Sequence, residues 1–247
     1  MLRRKMLRDI RSNLSQFITI FLMIMIGMMA YSGIKSYMTG MQKTADKFYS
    51  ENNIYDLIAM GDLNHDDLKV IKEIKNVNDA ELKLSLKATT DKEKVLLLNF
   101  IESNNISRFY IIAGEPFDIN KKGIWLDEFY CKENNIKVGD EVLVKYETMV
   151  LHEKVLGIIN VPDHLYDTRD KSELIPNRKE FGFAYMSTNE IPEEYIRTLV
   201  MKKANIPDEK TFKMVIPNFE YKKYIPFSSI MVDVKDNTKR YDVKNEI

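Results

Sequence analysis

The longest apolar stretch of the chain lies near its N-terminus. No charged residue occurs from Ser12 to Ile34, and Phe17–Ile34 is almost continuously apolar. At a rise of ~1.5 Å per residue, a helix over Ser12–Ile34 is about 34 Å long, enough to cross a hydrocarbon layer of about 30 Å. Because backbone groups in lipid must bond to one another, this stretch is predicted to be a transmembrane helix. A cleaved signal peptide would have a shorter apolar region.

The residues before the anchor set its direction. The first eleven residues contain five basic side chains and one acidic side chain. Basic flanks remain on the cytoplasmic side, which predicts a cytoplasmic N-terminus and an extracytoplasmic location for the residues after the anchor. The apolar residues of this segment recur at helical spacing and predict an amphipathic helix on the inner leaflet, the alternative being a simple basic flank. They are Leu2, Met6, Leu7, Ile10 and Leu14.

Beyond the anchor, strand-like and helix-like patterns alternate. Asn64 is placed to cap a short helix over Asp66–Ile74, and leucines alternate with polar residues in Val77–Thr89, as in a half-buried strand. The tail after Asp233 is polar and poorly patterned. Further predicted strands are Ile54–Met60, Lys94–Ile101, Phe109–Ala113, Phe181–Met186 and Thr198–Lys202.

A second pattern begins near Gly123. It predicts a short strand over Ile124–Leu126, a short helix over Asp127–Asn134, and a hairpin formed by Glu141–Tyr146 and Met149–Ile159. This is a small β-rich insertion in the larger unit.

The predicted fold is α+β, with a single N-terminal transmembrane helix followed by a mixed α/β extracytoplasmic domain. Residues 1–14 are expected to form a helix at the cytoplasmic face, 15–36 the transmembrane helix, and 37–52 a helical stalk. Residues 53–247 form the extracytoplasmic domain, in which the β-rich module covers approximately 123–160.

Composition and charge narrow the range of possible functions and partners. The 247 residues carry no net charge, and the part after the basic flank is mildly acidic, which excludes nucleic acid as the main partner because phosphate binding needs concentrated positive charge. Cys131 is the only cysteine, so no intrachain disulfide can form. Beside Phe129 and Tyr130 it is interpreted as a semi-buried residue, in preference to a catalytic thiol.

No catalytic pattern is found. The sequence has neither a phosphate-binding loop of the Walker type nor a Gly-x-Ser-x-Gly elbow, and the three histidines lack metal-ligand spacing. Asn64–Asp67 resembles a metal site, but a helix cap explains the same residues. A charged run is interpreted as part of an exposed loop over His164–Glu180. The run comprises Asp163, Asp167, Arg169, Asp170 and Glu173. The chain is predicted not to be an enzyme and to have no catalytic, cofactor-binding or metal-binding residues.

One stretch combines aromatic and basic residues. Tyr221, Tyr224 and Phe227 flank Lys222 and Lys223. Such a stretch docks an outer ligand or a lipid headgroup surface, or it packs locally while its lysines reach solvent. Both interpretations remain open.

Several short motifs resemble the FtsX-like, MacB-type permeases of ABC transporters, in particular the Gram-positive branch. The resemblance covers roughly residues 1–190. It rests on residues 7–14 (LRDIRSNL), Gln16-Phe17, Gly33-Ile34-Lys35, Ile54-Tyr55-Asp56-Leu57, Leu63–Val77, residues 136–140 (IKVGD) and residues 155–159 (VLGII).

The resemblance implies the N-terminal portion of a permease whose extracytoplasmic domain transmits ATPase-driven motion, for export of amphiphiles, peptides or antibiotics or for envelope signalling. The implied partners are an ABC ATPase subunit, membrane lipid and a second permease copy, and no cofactor is implied. Such permeases have further membrane helices after this domain, so the chain is expected to be part of a longer permease or a shortened relative. The alternative is a single-pass, signal-anchored surface binding or sensor protein.

Overall fold

The computed structural model describes residues 2–164 and 176–247. The chain divides into two compact units, Met1–Glu51 and Asn52–Ile247. The first unit is helical, and the second is built around a β-sheet with short helices, which confirms the predicted α+β class.

The first unit contains α1 (Leu2–Ser12) and α2 (Leu14–Glu51). Helix α2 is continuous over 38 residues, and none of its residues is buried. Within the described residues it is the one helix that is long and apolar enough to cross a membrane. The predicted transmembrane segment and the predicted stalk both lie on α2, and the boundary between them at residue 36 stays a prediction.

The second unit contains nine strands and five α-helices in its described part. The strands are β1 (Leu57–Leu63), β2 (Val77–Thr90), β3 (Val95–Ile101), β4 (Tyr110–Gly114), β5 (Ile124–Asp127), β6 (Glu141–Tyr146), β7 (Met149–Asn160), β8 (Phe181–Ser187) and β9 (Phe227–Val234). The helices are α3 (His65–Glu73), α4 (Glu128–Asn134), α5 (Glu193–Lys203), α6 (Glu209–Val215) and α7 (Arg240–Glu246). Single 3₁₀ turns cover Thr188–Glu190, Tyr221–Tyr224 and Asn237–Lys239.

All nine strands belong to one sheet, in the order β1-β9-β2-β3-β8-β5-β7-β4. Strand β6 lies off this path and pairs with both β2 and β7. The pairs β3·β8 and β5·β7 are parallel, and the other pairs are antiparallel. The β-rich module predicted near 123–160 corresponds to β5, α4, β6 and β7, and it joins the other strands through β8, β2 and β4.

The central strands have a core on each face. On β8, Ala184 and Met186 belong to the larger core, whereas Phe181, Phe183 and Tyr185 belong to a smaller aromatic core around Trp125. Successive side chains of a strand point to opposite faces, so both faces of β8 are covered. This explains why every residue of β8 is buried and why its sequence is almost continuously apolar.

Local signals predicted several elements correctly. The Asn64 side chain accepts hydrogen bonds from the backbone N–H groups of Asp66 and Asp67, and the Asp67 carboxylate accepts one from the Asn64 N–H at 2.8 Å. This capping box begins α3 at the predicted position. The hairpin of β6 and β7 is also confirmed.

Near the C-terminus one prediction was wrong and one strand was missed. Thr198–Lys202, predicted as a strand, lies inside α5, which begins after Pro192 and has acidic residues in its first turn and lysines in its last. These charges complement the helix dipole and outweigh the β-branched residues. Strand β9 was missed, and it places Phe227 in the core with no exposed surface.

Candidate ligand-binding cleft

Cys131 is buried in α4, more completely than the sequence suggested. Burial, assisted by the negative charges of the nearby Asp127 and Asp140, raises the pKa of its thiol to about 12. The thiolate is the nucleophilic form of cysteine, so at neutral pH this side chain remains protonated and unreactive.

The histidines lie in separate places. His65 contacts Glu102 through Nε2 at 3.0 Å, His152 is exposed on β7, and His164 stacks on Phe183 with ring centroids 4.6 Å apart. In the described parts of the chain no three or more His, Cys, Asp or Glu side chains are grouped closely enough to hold a metal ion. Asn64 and Asp67, considered above as part of such a group, are engaged in the helix cap.

The exposed-loop interpretation of the charged run is wrong at its first residue. The side chains of Asp163 and Lys83 are 3% and 5% exposed, and Lys83 Nζ lies 3.4 Å from Asp163 Oδ2. His164 is also largely covered, at 13% side-chain exposure. Lys83 comes from β2, so the covering partner is about eighty residues distant along the chain. Asp167, Arg169, Asp170 and Glu173 lie outside the described residues.

The aromatic and basic stretch contributes to a cleft. The apolar cleft, as we name it, has a volume of about 500 Å³ and lies between the end of β1, the last turns of α5, and the segment before β9. Its lining is Asp62, Leu63, Asn64, Leu199, Val200, Lys203, Ala204, Ile216, Lys223, Tyr224, Ile225 and Pro226. Ligand pockets have volumes of about 300–1,000 Å³ and mostly apolar linings, which is the range of this cleft.

The lining side chains of the apolar cleft come from three parts of the chain, which are the end of β1, the last turns of α5, and the segment between α6 and β9. Leu199 and Val200 are carried by α5, which is oriented by the buried Tyr195 and Ile196 of its first turns. Ile225 is buried at the base of the cleft, and Leu63 and Ile216 are half-buried. Apolar side chains therefore form the inner surface of the apolar cleft, and part of that surface is open to solvent.

Charged side chains stand at the opening of the apolar cleft. Lys203 Nζ contacts Asp62 Oδ2, and Lys223 Nζ lies 2.6 Å from Glu220 Oε2. The hydrogen bond that Lys223 donates to Glu220 and the negative charge of Glu220 raise the pKa of Lys223, so this lysine is fully protonated at neutral pH. Both ion pairs are solvent-exposed, so solvent screens them and they add little to stability.

A second cleft adjoins the first. This polar cleft has a volume of about 740 Å³ and shares Asn64 and Lys223 with the apolar cleft. Its remaining lining residues are His65, Asp66, Lys69, Glu220 and Lys222. Lysines outnumber carboxylates three to two, so the polar cleft has a small excess of positive charge.

The residues of the aromatic and basic stretch fall into two groups. Tyr224, Lys222 and Lys223 line the clefts, whereas Phe227 belongs to the core and Tyr221 packs against it. Sequence patterns identified this segment but missed Leu199 and Val200, because α5 was not recognised as a helix.

The chain thus combines a helix of membrane-spanning length and composition with a sheet-rich domain that carries a cleft. Among solved structures, the extracellular domain of the ABC-type transporter YknZ from Gram-positive bacteria is similar at 12% identity and a TM-score of 0.43, over 73% of this chain and 78% of that one. The periplasmic region of MacB from Actinobacillus actinomycetemcomitans is similar at 11% identity and a TM-score of 0.39, over 76% of this chain and 73% of that one.

Both solved structures fall in the class that residues 1–190 resemble. No family model matches the sequence, and no curated protein matches it.

Proposed function

We propose that this chain is the N-terminal portion of an ABC transporter permease of the FtsX-like class. The observation that carries the proposal is α2, a single 38-residue helix with no buried residue, which ends at Glu51, immediately before the first residue of the sheet-rich unit in the sequence. Its apolar half would be covered by lipid, and its polar half would lead the chain away from the membrane.

In this proposal α1 lies on the cytoplasmic face and the second unit is extracytoplasmic. The basic residues before α2 support this direction. The ATPase partner would act through other parts of the permease, and the extracytoplasmic domain would respond to ATP-driven motion during export or signalling. The motifs quoted above support the assignment to this class.

The orientation can be tested with two added cysteines. Lys5→Cys reports on the N-terminus, and Lys213→Cys reports on the exposed surface of α6. In intact cells a membrane-impermeant maleimide should label Lys213→Cys, and it should label Lys5→Cys only after permeabilisation. The unmodified chain is the control, because Cys131 is buried and its pKa is about 12. The opposite labelling pattern would reverse the topology.

The partner can be tested by purification. Protein solubilised in mild detergent from native membranes should bring an ABC ATPase with it, and the native product should be much larger than 29.0 kDa. Repeated purification without an ATPase would contradict the permease proposal.

The clefts favour one second candidate, a single-pass surface binding or sensor protein. In that case residues 48–247 alone should bind ligand fully and no ATPase should copurify. The native product should then be close to 29.0 kDa. The same purification therefore separates the two candidates.

A further inference from the structure

We propose that the two adjoining clefts form one binding site for a single-chain amphiphile with an anionic headgroup. The hydrocarbon chain occupies the apolar cleft and the headgroup occupies the polar cleft. The inference deepens the proposed function, because it rests on an extracytoplasmic domain that meets amphiphiles, and it names which class of them is bound.

The first argument is the contrast between two neighbouring linings. Leu199, Val200 and Ile216 present half-buried apolar surface in one cleft, and Lys69 and Lys222 present charge in the other. Removing apolar surface from water yields roughly 25 cal/mol per Å², so a hydrocarbon chain gains by entering the first cleft. An ammonium group that entered the apolar cleft would lose its hydration.

The second argument is continuity. Asn64 and Lys223 line both clefts, so a molecule bound across them passes these two residues at the junction. Lys223 is exposed and protonated, and its present partner, Glu220, is also exposed. Because solvent screens an exposed ion pair and leaves it weak, a carboxylate or phosphate can replace Glu220 as the partner of Lys223 with little loss.

The third argument concerns the sign of the headgroup. Three lysines and two carboxylates line the polar cleft, and Lys203 stands at the rim of the apolar cleft. Lys69 is paired with Asp66 and Lys223 with Glu220, so the single excess positive charge of the polar cleft belongs to Lys222, which donates to Asn189 Oδ1. An anionic headgroup gains from this excess charge, whereas a cationic headgroup is repelled by it. A neutral headgroup gains the hydrophobic contribution alone.

The site can be tested by photolabelling the full chain in nanodiscs of zwitterionic phosphatidylcholine. The probe is a long-chain fatty acid that carries a diazirine near its methyl end, and labelled residues are identified by mass spectrometry. Label is expected on residues of the apolar cleft, chiefly Leu199, Val200, Ile216 and Pro226. Excess unlabelled fatty acid should remove it, while label on α2 from probe dissolved in lipid should persist.

Variants sharpen this test. Ile216→Glu places a charge among the apolar lining and should reduce cleft labelling at least about tenfold. Ala204→Trp fills the cleft from an exposed position and should have a similar effect without disturbing the core. The double variant Lys203→Glu/Lys223→Glu should reduce labelling roughly fivefold by reversing the charge at the opening.

Matched controls lie in the turn before β6. Val138→Glu and Lys137→Glu make the same chemical changes at exposed positions outside both clefts, and they should leave labelling unchanged. The fluorescence of Trp125, the only tryptophan of the natural chain, reports whether each of the other variants is folded, and far-ultraviolet circular dichroism reports it for Ala204→Trp. If Ile216→Glu unfolds, Ala204→Trp tests the binding of the hydrocarbon tail in its place. If the double lysine variant unfolds, the single variants Lys203→Glu and Lys223→Glu test the binding of the headgroup.

Two further probes test the headgroup. A diazirine monoacylglycerol and a diazirine alkylamine should label the apolar cleft several times less than the fatty acid does. Equal labelling by all three probes, or labelling that Ile216→Glu and Ala204→Trp leave intact, would overturn the inference. Label confined to α2 in the wild type would overturn it as well. These outcomes do not affect the cysteine-labelling and copurification results, so a failure of the site is distinguishable from a failure of the proposed function.

Discussion

The middle of the sheet and the apolar cleft use the same kinds of side chain in opposite ways. At β3 and β8, aliphatic and aromatic residues are closed off on both faces, and Phe100 and Phe183 have almost no exposed surface. In the apolar cleft, Leu199 and Ile216 are only half-buried. The sheet centre therefore contributes to folding, and the cleft retains apolar surface that a ligand can still bury.

Charged pairs show the same difference. Lys83 and Asp163 are almost completely covered beside the sheet, whereas Lys203 and Asp62 at the cleft opening are mostly exposed. Glu81 on β2 is also buried, and its carboxylate accepts hydrogen bonds from Ser103 at 2.6 Å and from the Ile106 N–H at 3.1 Å. Buried charges of this kind depend on their partners, while those at the cleft can exchange partners.

The comparison predicts the largest loss of stability for Phe100→Ala. Phe100 is completely buried in the larger core, and truncating such a residue costs about 3–5 kcal/mol. Thermal unfolding followed by Trp125 fluorescence should show a Tm decrease of roughly 10 °C. Leu199→Ala is the cleft counterpart and should cost about 1 kcal/mol. Equal losses at the two positions would contradict the distinction between core and cleft.

The next effect is expected for Lys83→Met, which leaves the Asp163 carboxylate buried without its ammonium partner. Breaking one side of a buried pair costs roughly 3 kcal/mol or more. The double variant Lys83→Met/Asp163→Leu should recover much of the loss, because it removes both charges. The same unfolding measurement checks both variants. A double variant as unstable as the single one would mean that the charge of Asp163 is not the cause.

The buried side chain of Glu153 is expected to make the free energy of unfolding depend on pH. It is buried on β7 between Leu151 and Val155, and burial, together with repulsion from Glu190, raises its pKa to about 7 against the opposing charge of Lys122. The folded state then binds the proton more tightly than the unfolded state. The free energy of unfolding should therefore fall as pH rises from about 4.5 through about 7 and level off above that.

Glu153→Gln removes this contribution. A pKa shift of this size corresponds to roughly 3 kcal/mol, so the variant should be more stable than the wild type at pH 8 and similar to it at pH 4.5. Unfolding measured across this pH range tests the expectation. Glu147→Gln, in the exposed turn before β7, is the control and should leave the pH profile unchanged.

The smallest effect on stability is expected for Lys203→Ala. Its ion pair with Asp62 is exposed, so its removal should change the free energy of unfolding by less than about 1 kcal/mol. Fatty-acid labelling of the apolar cleft should decrease nevertheless. A loss of stability comparable to that of Lys83→Met would place Lys203 in the folding framework, and the contrast between the two pairs would disappear.

Elements with strong local signals were predictable from the sequence alone. The charge-free run in α2 is long and apolar enough to cross a membrane, the Asn64 cap and its first-turn carboxylates begin α3, and alternation identifies β2. The aromatic and basic stretch before β9 was also recognised as a candidate site. Each signal lies within a few residues, so no distant contact was needed to interpret it.

Other features depended on contacts between distant segments. The residues of β9 pair with β1 and β2, which lie far away in the sequence, and Asp163 is buried because Lys83 reaches it from β2. The apolar cleft requires β1, α5 and the segment before β9 to meet in space.

The sequence by itself thus determined a helix of membrane-spanning length and composition, the Asn64 cap and the alternating strands, because these follow from side-chain periodicity and local hydrogen bonding. Only the tertiary structure decided which charges are buried and which apolar residues stay open. Burial is a property of the neighbours that a side chain acquires on folding, and in this protein most of those neighbours come from elsewhere in the chain.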